Sequence, residues 1–397
     1  MDRIASSQQD RSTISFFQQS SVKAATYRLA LARQATQYPH GVEQDIPNIW
    51  LAVQECYRRK EWPLLIGFRE VLQPVLDNRG AWEQCLDLLS WVHEAATDIG
   101  DVHMAARCLH DQADMLNQQG QFHDAEQRYL AAEQAYQTVG AADTAMKSRH
   151  MRSMVVRAQG RLDEAAALND TVIAEAQALG LGRWLAHPLY VRGLLARDRN
   201  DLAGARRAVA EGLALLQATD ETAMIAQCHH FLGEVALLEG DRVAARAELE
   251  RSLNLSQQVG ILRRIAATQR LLGDLALVEG RDADAERIYR EAMGIAGRLG
   301  DRSQLAHILL AQSHVLARQG HTAHVGEALR SAQAIYEQIG DRRGVTVVFA
   351  LLARQELRHR HLVKALDLAL HAISAAWQAK LLRPRLLIGM WSRRRGL

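Results

Sequence analysis

Apolar and polar positions alternate along the chain with the three- and four-residue spacing of amphipathic helices, and the pattern restarts every twenty residues. A turn-forming residue stands at each restart from Gly80 to Gly340, and it is glycine at every restart except Asn200 and Asp220. Glycine accepts the left-handed backbone that closes a helix. Aspartates that suit the N-cap of a following helix come next at five restarts: Asp101, Asp201, Asp241, Asp301 and Asp341. The pattern predicts antiparallel helix pairs, each forty residues long.

The clearest repeat covers residues 221–260 and 261–300, where the same forty-residue unit occurs twice in tandem. Leu232-Gly233-Glu234 in the first copy aligns with Leu272-Gly273-Asp274 in the second. Small residues at fixed positions let the two helices of a pair cross closely, and larger side chains fill the space beside them. A single pair cannot bury its apolar face, but a stack of pairs can. The predicted fold class is therefore all-α, a solenoid of antiparallel helix pairs.

Several positions within the repeats resemble those of the tetratricopeptide repeat family. The family's small–aromatic–alanine spacing is matched twice, by Ala125, Tyr129 and Ala132 and by Ala285, Tyr289 and Ala292. The resemblance covers residues 101–380 and implies a right-handed superhelix that binds its partner on the concave face. The chain departs from the family's pattern at Asn169, which replaces the aromatic residue, and at Val325, which replaces the alanine. Pro188 falls early in a first helix and predicts a late start or a kink in that repeat.

The N-terminal part has a different composition. Four of the six prolines and four of the seven tryptophans lie between residues 39 and 91. Through residues 44–49, 79–82 and 100–101, this part resembles the helical region that precedes the repeat sensor arm of bacterial signal-transduction ATPases of the STAND class. The chain has no GxxxxGK[ST] phosphate loop, so it resembles the sensor arm of these proteins and not their ATPase domain. We expect a poorly ordered N-terminus (1–20), an irregular helical cap (21–100), seven repeats (101–380) and a basic tail (381–397).

Composition excludes several function classes. The net charge is +3, without the concentrated basic stripe typical of nucleic-acid binding, and no apolar run is long enough to span a membrane. The four cysteines have no CxxC spacing, and no signal peptide precedes them, which favours a reduced, cytoplasmic protein. The sixteen histidines lack the spacing of a zinc site, and neither G-x-S-x-G nor HExxH occurs. We therefore expect no catalytic residue, metal or cofactor.

Stacking the repeats reveals two parallel columns on the first helices, four residues apart and therefore on one helix face. We call their members together the polar column. Intrahelical pairs are predicted for His110–Asp114, His230–Glu234 and Arg270–Asp274. The sequence is equally compatible with a peptide-binding groove and with an ordinary solvated helix face, and both interpretations stay open. Its twelve members are His110, His150, Tyr190, His230 and Arg270, with Asp114, Met154, Leu194, Glu234, Asp274, His314 and Arg354.

The sequence therefore predicts a non-catalytic regulatory module or scaffold that binds a protein or peptide in its concave groove. The specific form that we favour is the sensor arm of a bacterial signalling regulator. One alternative is an intracellular receptor for a peptide pheromone. Another, from a different class, is an enzyme with a site where the N-terminal helices meet the array. Self-association is also compatible with the sequence, and the partner is not identified by it.

Overall fold

A computed structural model describes residues 22–31, 33, 39–78, 81–216 and 219–378. The expected N-terminal segment (1–20) and the basic tail (381–397) lie outside the described residues. Every regular element in the described ranges is an α-helix, which confirms the predicted fold class. None of the described helices combines the length and the apolar character needed to cross a membrane.

The helices follow one another along the chain with short connections. In order the helices are α1 (22–31), α2 (Pro39–Arg58), α3 (Trp62–Asn78), α4 (Trp82–Asp98), α5 (Val102–Gln118), α6 (Phe122–Thr138), α7 (Ala142–Ala158), α8 (Leu162–Ala178), α9 (Ala186–Asp198), α10 (Leu202–Leu215), α11 (Thr222–Glu239), α12 (Arg242–Gln258), α13 (Leu262–Val278), α14 (Asp282–Arg298), α15 (Arg302–Arg318), α16 (Thr322–Gln338), α17 (Arg342–Arg358) and α18 (Leu362–Gln378). The first helices of the predicted pairs are α5, α7, α9, α11, α13, α15 and α17, and each is followed by its second helix.

The turns between helices have the predicted left-handed geometry at most restarts. Gly240 has a φ of 83°, and Asn200 replaces glycine with a φ of 65°. The expectation for Asp220 is wrong, because this residue lies in a bend outside the left-handed region. The reason is that α10 already ends at Leu215, so residue 220 does not close a helix. Arg360, twenty residues after Gly340, also adopts the left-handed conformation, which arginine rarely takes.

The helix starts also agree with the sequence. The carboxylates of Asp201, Asp241 and Asp301 each accept a hydrogen bond from the backbone N–H three residues later, at 2.8 to 3.0 Å. Asp101 and Asp341 cap their helices in the same way. The predicted N-caps are therefore confirmed at all five positions. The late start caused by Pro188 is confirmed too, since α9 begins only at Ala186, after a turn.

The chain divides into two compact units. The first comprises residues 1–118 and 123–148, and the second comprises residues 119–122 and 149–397. The first unit has a core of large side chains on α3 and α4, among which Phe68, Leu72 and Leu88 are fully buried. Half-buried rings lie beside this core, where Tyr57 stacks on Trp91 with ring centroids 5.0 Å apart. The predicted boundary between a cap and seven repeats at residue 101 stays a prediction.

Close helix crossings build the second unit. A β-carbon placed on Gly273 of α13 would lie 2.4 Å from the ring of Tyr289 on α14. At the equivalent position of the preceding pair, a β-carbon on Gly233 would lie 2.6 Å from Leu249. Tyr289 is fully buried, which contributes about 2–3 kcal/mol through the apolar area it removes from water. The small residues thus set how each first helix lies on its partner, and with it the direction of the polar column.

Candidate binding site along the first helices

The members of the polar column differ in how far solvent reaches them. The rings of His150, Tyr190 and His230 are 8–9% exposed, so they form the floor of this face and not its rim. Leu194 is also buried, in the apolar cluster around Phe231. Arg354 is exposed, and the remaining members are partly exposed: His110, Asp114, Met154, Glu234, Arg270, Asp274 and His314.

A chain of hydroxyl groups behind His230 fixes the protonation of its ring. The Ser252 hydroxyl donates to the Ala226 carbonyl at 2.8 Å, so it can only accept from the Thr268 hydroxyl, 3.3 Å away. Thr268 in turn must accept from Nδ1 of His230, at 3.0 Å. The proton therefore sits on Nδ1, and Nε2 carries a lone pair. Burial, followed by the charges of Arg264 and other arginines, holds the pKa of His230 well below 6.5 and keeps the ring neutral.

His110 repeats this arrangement in the first unit. Its Nδ1 lies 2.9 Å from the hydroxyl of Ser148, which itself donates to the Thr144 carbonyl at 3.1 Å. By the same reasoning Nδ1 is the donor. The other nitrogen, Nε2, lies 3.8 Å from the carboxylate of Asp114, so the predicted neighbours are close, but they form an ion pair only when the ring carries a proton on both nitrogens. Both histidines thus use one nitrogen to fix the ring on the next first helix.

His150 departs from this arrangement because Pro188 stands where Ser148 and Thr268 supply a hydroxyl to His110 and His230. Within the described part of the chain, Nδ1 of His150 is buried and has no hydrogen-bond partner. The ring packs edge-on against Trp184, with centroids 5.2 Å apart. Burial, with a smaller contribution from His187, lowers the pKa of His150 to about 3. This member of the column is therefore an uncharged ring in an aromatic environment.

The charged members pair both within one first helix and between neighbouring first helices. Arg270 pairs with Asp274 at 2.8 Å, as predicted. The predicted pair of His230 with Glu234 is wrong, because Glu234 pairs with Arg197 of α9 at 2.8 Å. A permanent charge on the neighbouring helix is the stronger partner, since the His230 ring is neutral and held by Thr268. Sequence spacing within one helix could not reveal a partner 37 residues away.

Two tyrosines of the second helices hold carboxylates of the column. The hydroxyl of Tyr289 donates to Asp274 at 2.5 Å, and that of Tyr129 donates to Asp114. The sequence identified these rings only as space-filling residues beside small neighbours. Because each tyrosine is fully buried and locked by packing, its hydroxyl fixes the direction of the carboxylate.

Arg264 is a further residue that the sequence did not single out. This half-buried arginine on α13 lies close enough to His230, Cys228 and Tyr190 to influence their pKa values. Across the described ranges, Arg264 forms neither an ion pair nor a hydrogen bond. Arg197 and Arg270, by contrast, are paired with carboxylates. The part of the column around His230 therefore carries a positive charge that none of the described residues pairs with.

The described residues meet the requirements of neither metal binding nor cysteine chemistry. Within the described ranges, no group of three or more histidine, cysteine or acidic side chains is placed to hold a metal ion. All four cysteines are buried, and burial raises the pKa of Cys108 and of Cys228 to about 12. A thiol with so high a pKa is a poor nucleophile.

Comparison with known proteins rests on structure alone. No family model matches the chain, and no curated protein matches it in sequence. A Rap protein solved in complex with competence and sporulation factor is similar over 91% of this chain and 99% of its own, with a TM-score of 0.62 and 13% identity. The quorum sensor NprR from B. thuringiensis, in its apo form, matches 84% of this chain and 94% of its own (TM-score 0.54, 12% identity).

A third similar structure combines the repeats with an ATPase. This protein, from Pyrococcus horikoshii, belongs to the class called signal transduction ATPases with numerous domains. It carries a tetratricopeptide repeat sensor. The match covers 85% of this chain but only 54% of that protein, with a TM-score of 0.51 and 10% identity. At these identities the comparisons show the fold. Together with the helix pairs and their small–large contacts, they establish an all-α fold of the tetratricopeptide-repeat type.

Proposed function

We propose that this protein is a non-catalytic scaffold that binds an extended peptide or protein segment along the polar column of its second unit. The observation that carries the proposal is the group around His230: a ring with a fixed acceptor nitrogen beside the unpaired guanidinium of Arg264. A peptide backbone offers N–H donors for such an acceptor and carbonyl groups for such a donor. The paired charges of Arg270 and Asp274 extend this alternation along the next helix.

The rigidity of the column favours binding over a purely structural role. His230 is fixed by three successive hydroxyl and carbonyl groups, and Asp274 is fixed by both Arg270 and Tyr289. Side chains that are already ordered lose little entropy on binding. A solvated helix face would not need its polar groups held from behind by buried partners.

A selection of peptides tests the proposal directly. The full-length protein is used to select binders from a displayed library of random twelve-residue peptides, and the affinities of the enriched peptides are measured by fluorescence anisotropy. We expect Arg264→Gln and His230→Gln to weaken binding at least tenfold, because each removes a positioned group. Arg287→Gln is the matched control, since this arginine is 58% exposed on the second helix α14 and lies outside the column. Undiminished binding in both column variants would reject the proposal.

The more specific role that we propose is the sensor arm of a signalling regulator. The structural similarity to the repeat sensor of the Pyrococcus horikoshii ATPase supports it. A receptor for a signalling peptide is the second candidate, favoured by the similarity to the Rap protein bound to competence and sporulation factor. The two roles predict different ligands: a receptor binds short free peptides, whereas a sensor arm that recognises a protein binds them only as part of a folded partner. Measuring the affinity of each selected peptide, both free and inserted in a loop of a folded carrier protein, distinguishes the two roles.

A further inference from the structure

One arginine beside the polar column has no carboxylate of its own. The neighbouring Arg197 and Arg270 each pair with a carboxylate of the column, at 2.8 Å. A further carboxylate, that of Asp198, is shared by Arg157 and Arg197. Within the described part of the chain, Arg264 forms neither an ion pair nor a hydrogen bond. The carboxylates of these pairs are therefore all engaged by other arginines, and the charge of Arg264 is not compensated by any of them.

The start of α13 adds to this positive potential. Arg264 lies in the first turn of the helix, which begins at Leu262 and contains no acidic residue in that turn. The N-cap residue Ile261 makes no side-chain hydrogen bond to the helix, whereas Asp241 and Asp301 cap α12 and α15 with a carboxylate. A helix N-terminus carries a partial positive charge, and here no acidic cap offsets it. The first turn of α13 therefore favours an anion.

Arg264 lies on the same face of α13 as the residue that holds His230. Thr268, whose hydroxyl accepts from Nδ1 of His230 at 3.0 Å, follows Arg264 by four residues, and residues four apart share a helix face. The charge of Arg264 acts on His230 and on Tyr190 of α9. The unpaired atoms that are buried in the described ranges include neither Nε2 of His230 nor a nitrogen of Arg264, so solvent reaches both groups. A bound segment can therefore reach the acceptor and the cation.

We propose that the segment bound along the polar column carries an acidic side chain, whose carboxylate pairs with Arg264. This inference rests on the proposed function and names the chemistry of the ligand at that site. A guanidinium group binds a carboxylate through two parallel N–H···O bonds, and its five N–H donors can also hold a backbone carbonyl of the same segment. A backbone N–H of the segment donates to Nε2 of His230. A lysine or arginine at this place in the segment would be repelled.

Peptides selected on the wild-type protein test the inference. The synthetic binders are acetylated and amidated at their ends, so side chains provide their only carboxylates. We expect an acidic residue to recur at one position, and its replacement by the corresponding amide to weaken binding about tenfold or more, because a charge-assisted pair is lost. The acidic peptide and its amide form should bind equally weakly to Arg264→Gln, since this variant lacks the cation.

Two further variants provide a rescue and a matched control. Arg264→Glu should bind a peptide with lysine at the acidic position better than it binds the original peptide. Arg263→Gln removes the adjacent arginine, which is 63% exposed and pairs with Asp301 at 3.0 Å, so the acidic residue should keep its full effect there. Binders without a recurring acidic residue, or an equal loss with the amide form on the wild type and on Arg264→Gln, would overturn the inference and leave the proposed function standing. The absence of any binding peptide would reject both.

Discussion

Replacing Gly273 by alanine should destabilise the second unit although alanine is the better helix former. The added β-carbon would lie 2.4 Å from the Tyr289 ring, with two more ring atoms within 2.9 Å. Overpacking of this kind costs about 1–3 kcal/mol, and the gain in helix propensity returns at most about 1 kcal/mol. We therefore expect a net loss of about 1–2 kcal/mol. The displaced ring would also lose its hydrogen bond to Asp274.

Gly294→Ala is the matched control, because Gly294 lies in the interior of α14 and only the flexible end of Arg298 comes within 4 Å. Here the propensity gain should prevail and stabilise the protein by about 0.5–1 kcal/mol. The two variants should thus differ by roughly 2 kcal/mol, about thirtyfold in the unfolding equilibrium. Urea unfolding followed by circular dichroism measures the difference. Equal stability of the two variants would refute the close-crossing argument.

Three further predictions concern single side chains. Tyr289→Phe should cost about 1–2 kcal/mol in urea unfolding, because its hydroxyl donates to a carboxylate, whereas Tyr336→Phe should be neutral or stabilising, since that hydroxyl is buried without a partner in the described ranges. His150 should make the free energy of unfolding fall as the pH drops below 6.5: its folded pKa is about 3, so only the unfolded chain takes up the proton. Between pH 6.5 and pH 5 this amounts to about 2 kcal/mol, and unfolding midpoints of His150→Phe should show a correspondingly smaller pH dependence. Asp241→Ala should cost about 1 kcal/mol of stability through the lost N-cap, and Asp241→Asn should retain most of it; equal losses in both would contradict the cap.

The fold could be predicted from the sequence because its signals are local. A glycine that closes one helix and an aspartate that opens the next act within a few residues, so Gly240 and Asp241 mark a turn without knowledge of the rest. The expectation failed at Asp220, where the helix before it ends early at Leu215. The identity of residue 220 does not reveal that α10 ends five residues before it.

The site was only partly predictable, because its contacts join different repeats. The Nδ1 partners of His110 and His230 both lie 38 residues further along the chain. This recurring distance, two residues short of one repeat, is a signal that stacking the repeats could have revealed. The partner of Glu234 could not be found in this way, since an arginine at 197 competes with the intrahelical His230 only once both helices are in place.

The twenty-residue spacing of the turns also bears on how such a chain can change length. If residues 241–280 were removed, Gly240 would be followed by Arg281, and α11 would meet α14 in the same register. Gly233 would then receive the ring of Tyr289, as Gly273 does now, and Glu234 would stand where Asp274 accepts its hydroxyl. A duplicated or deleted gene segment of forty codons would therefore preserve the joints. Unequal recombination can lengthen or shorten the polar column in whole repeats, whereas an excision that is not a multiple of forty residues would break the register of the helices at the joint.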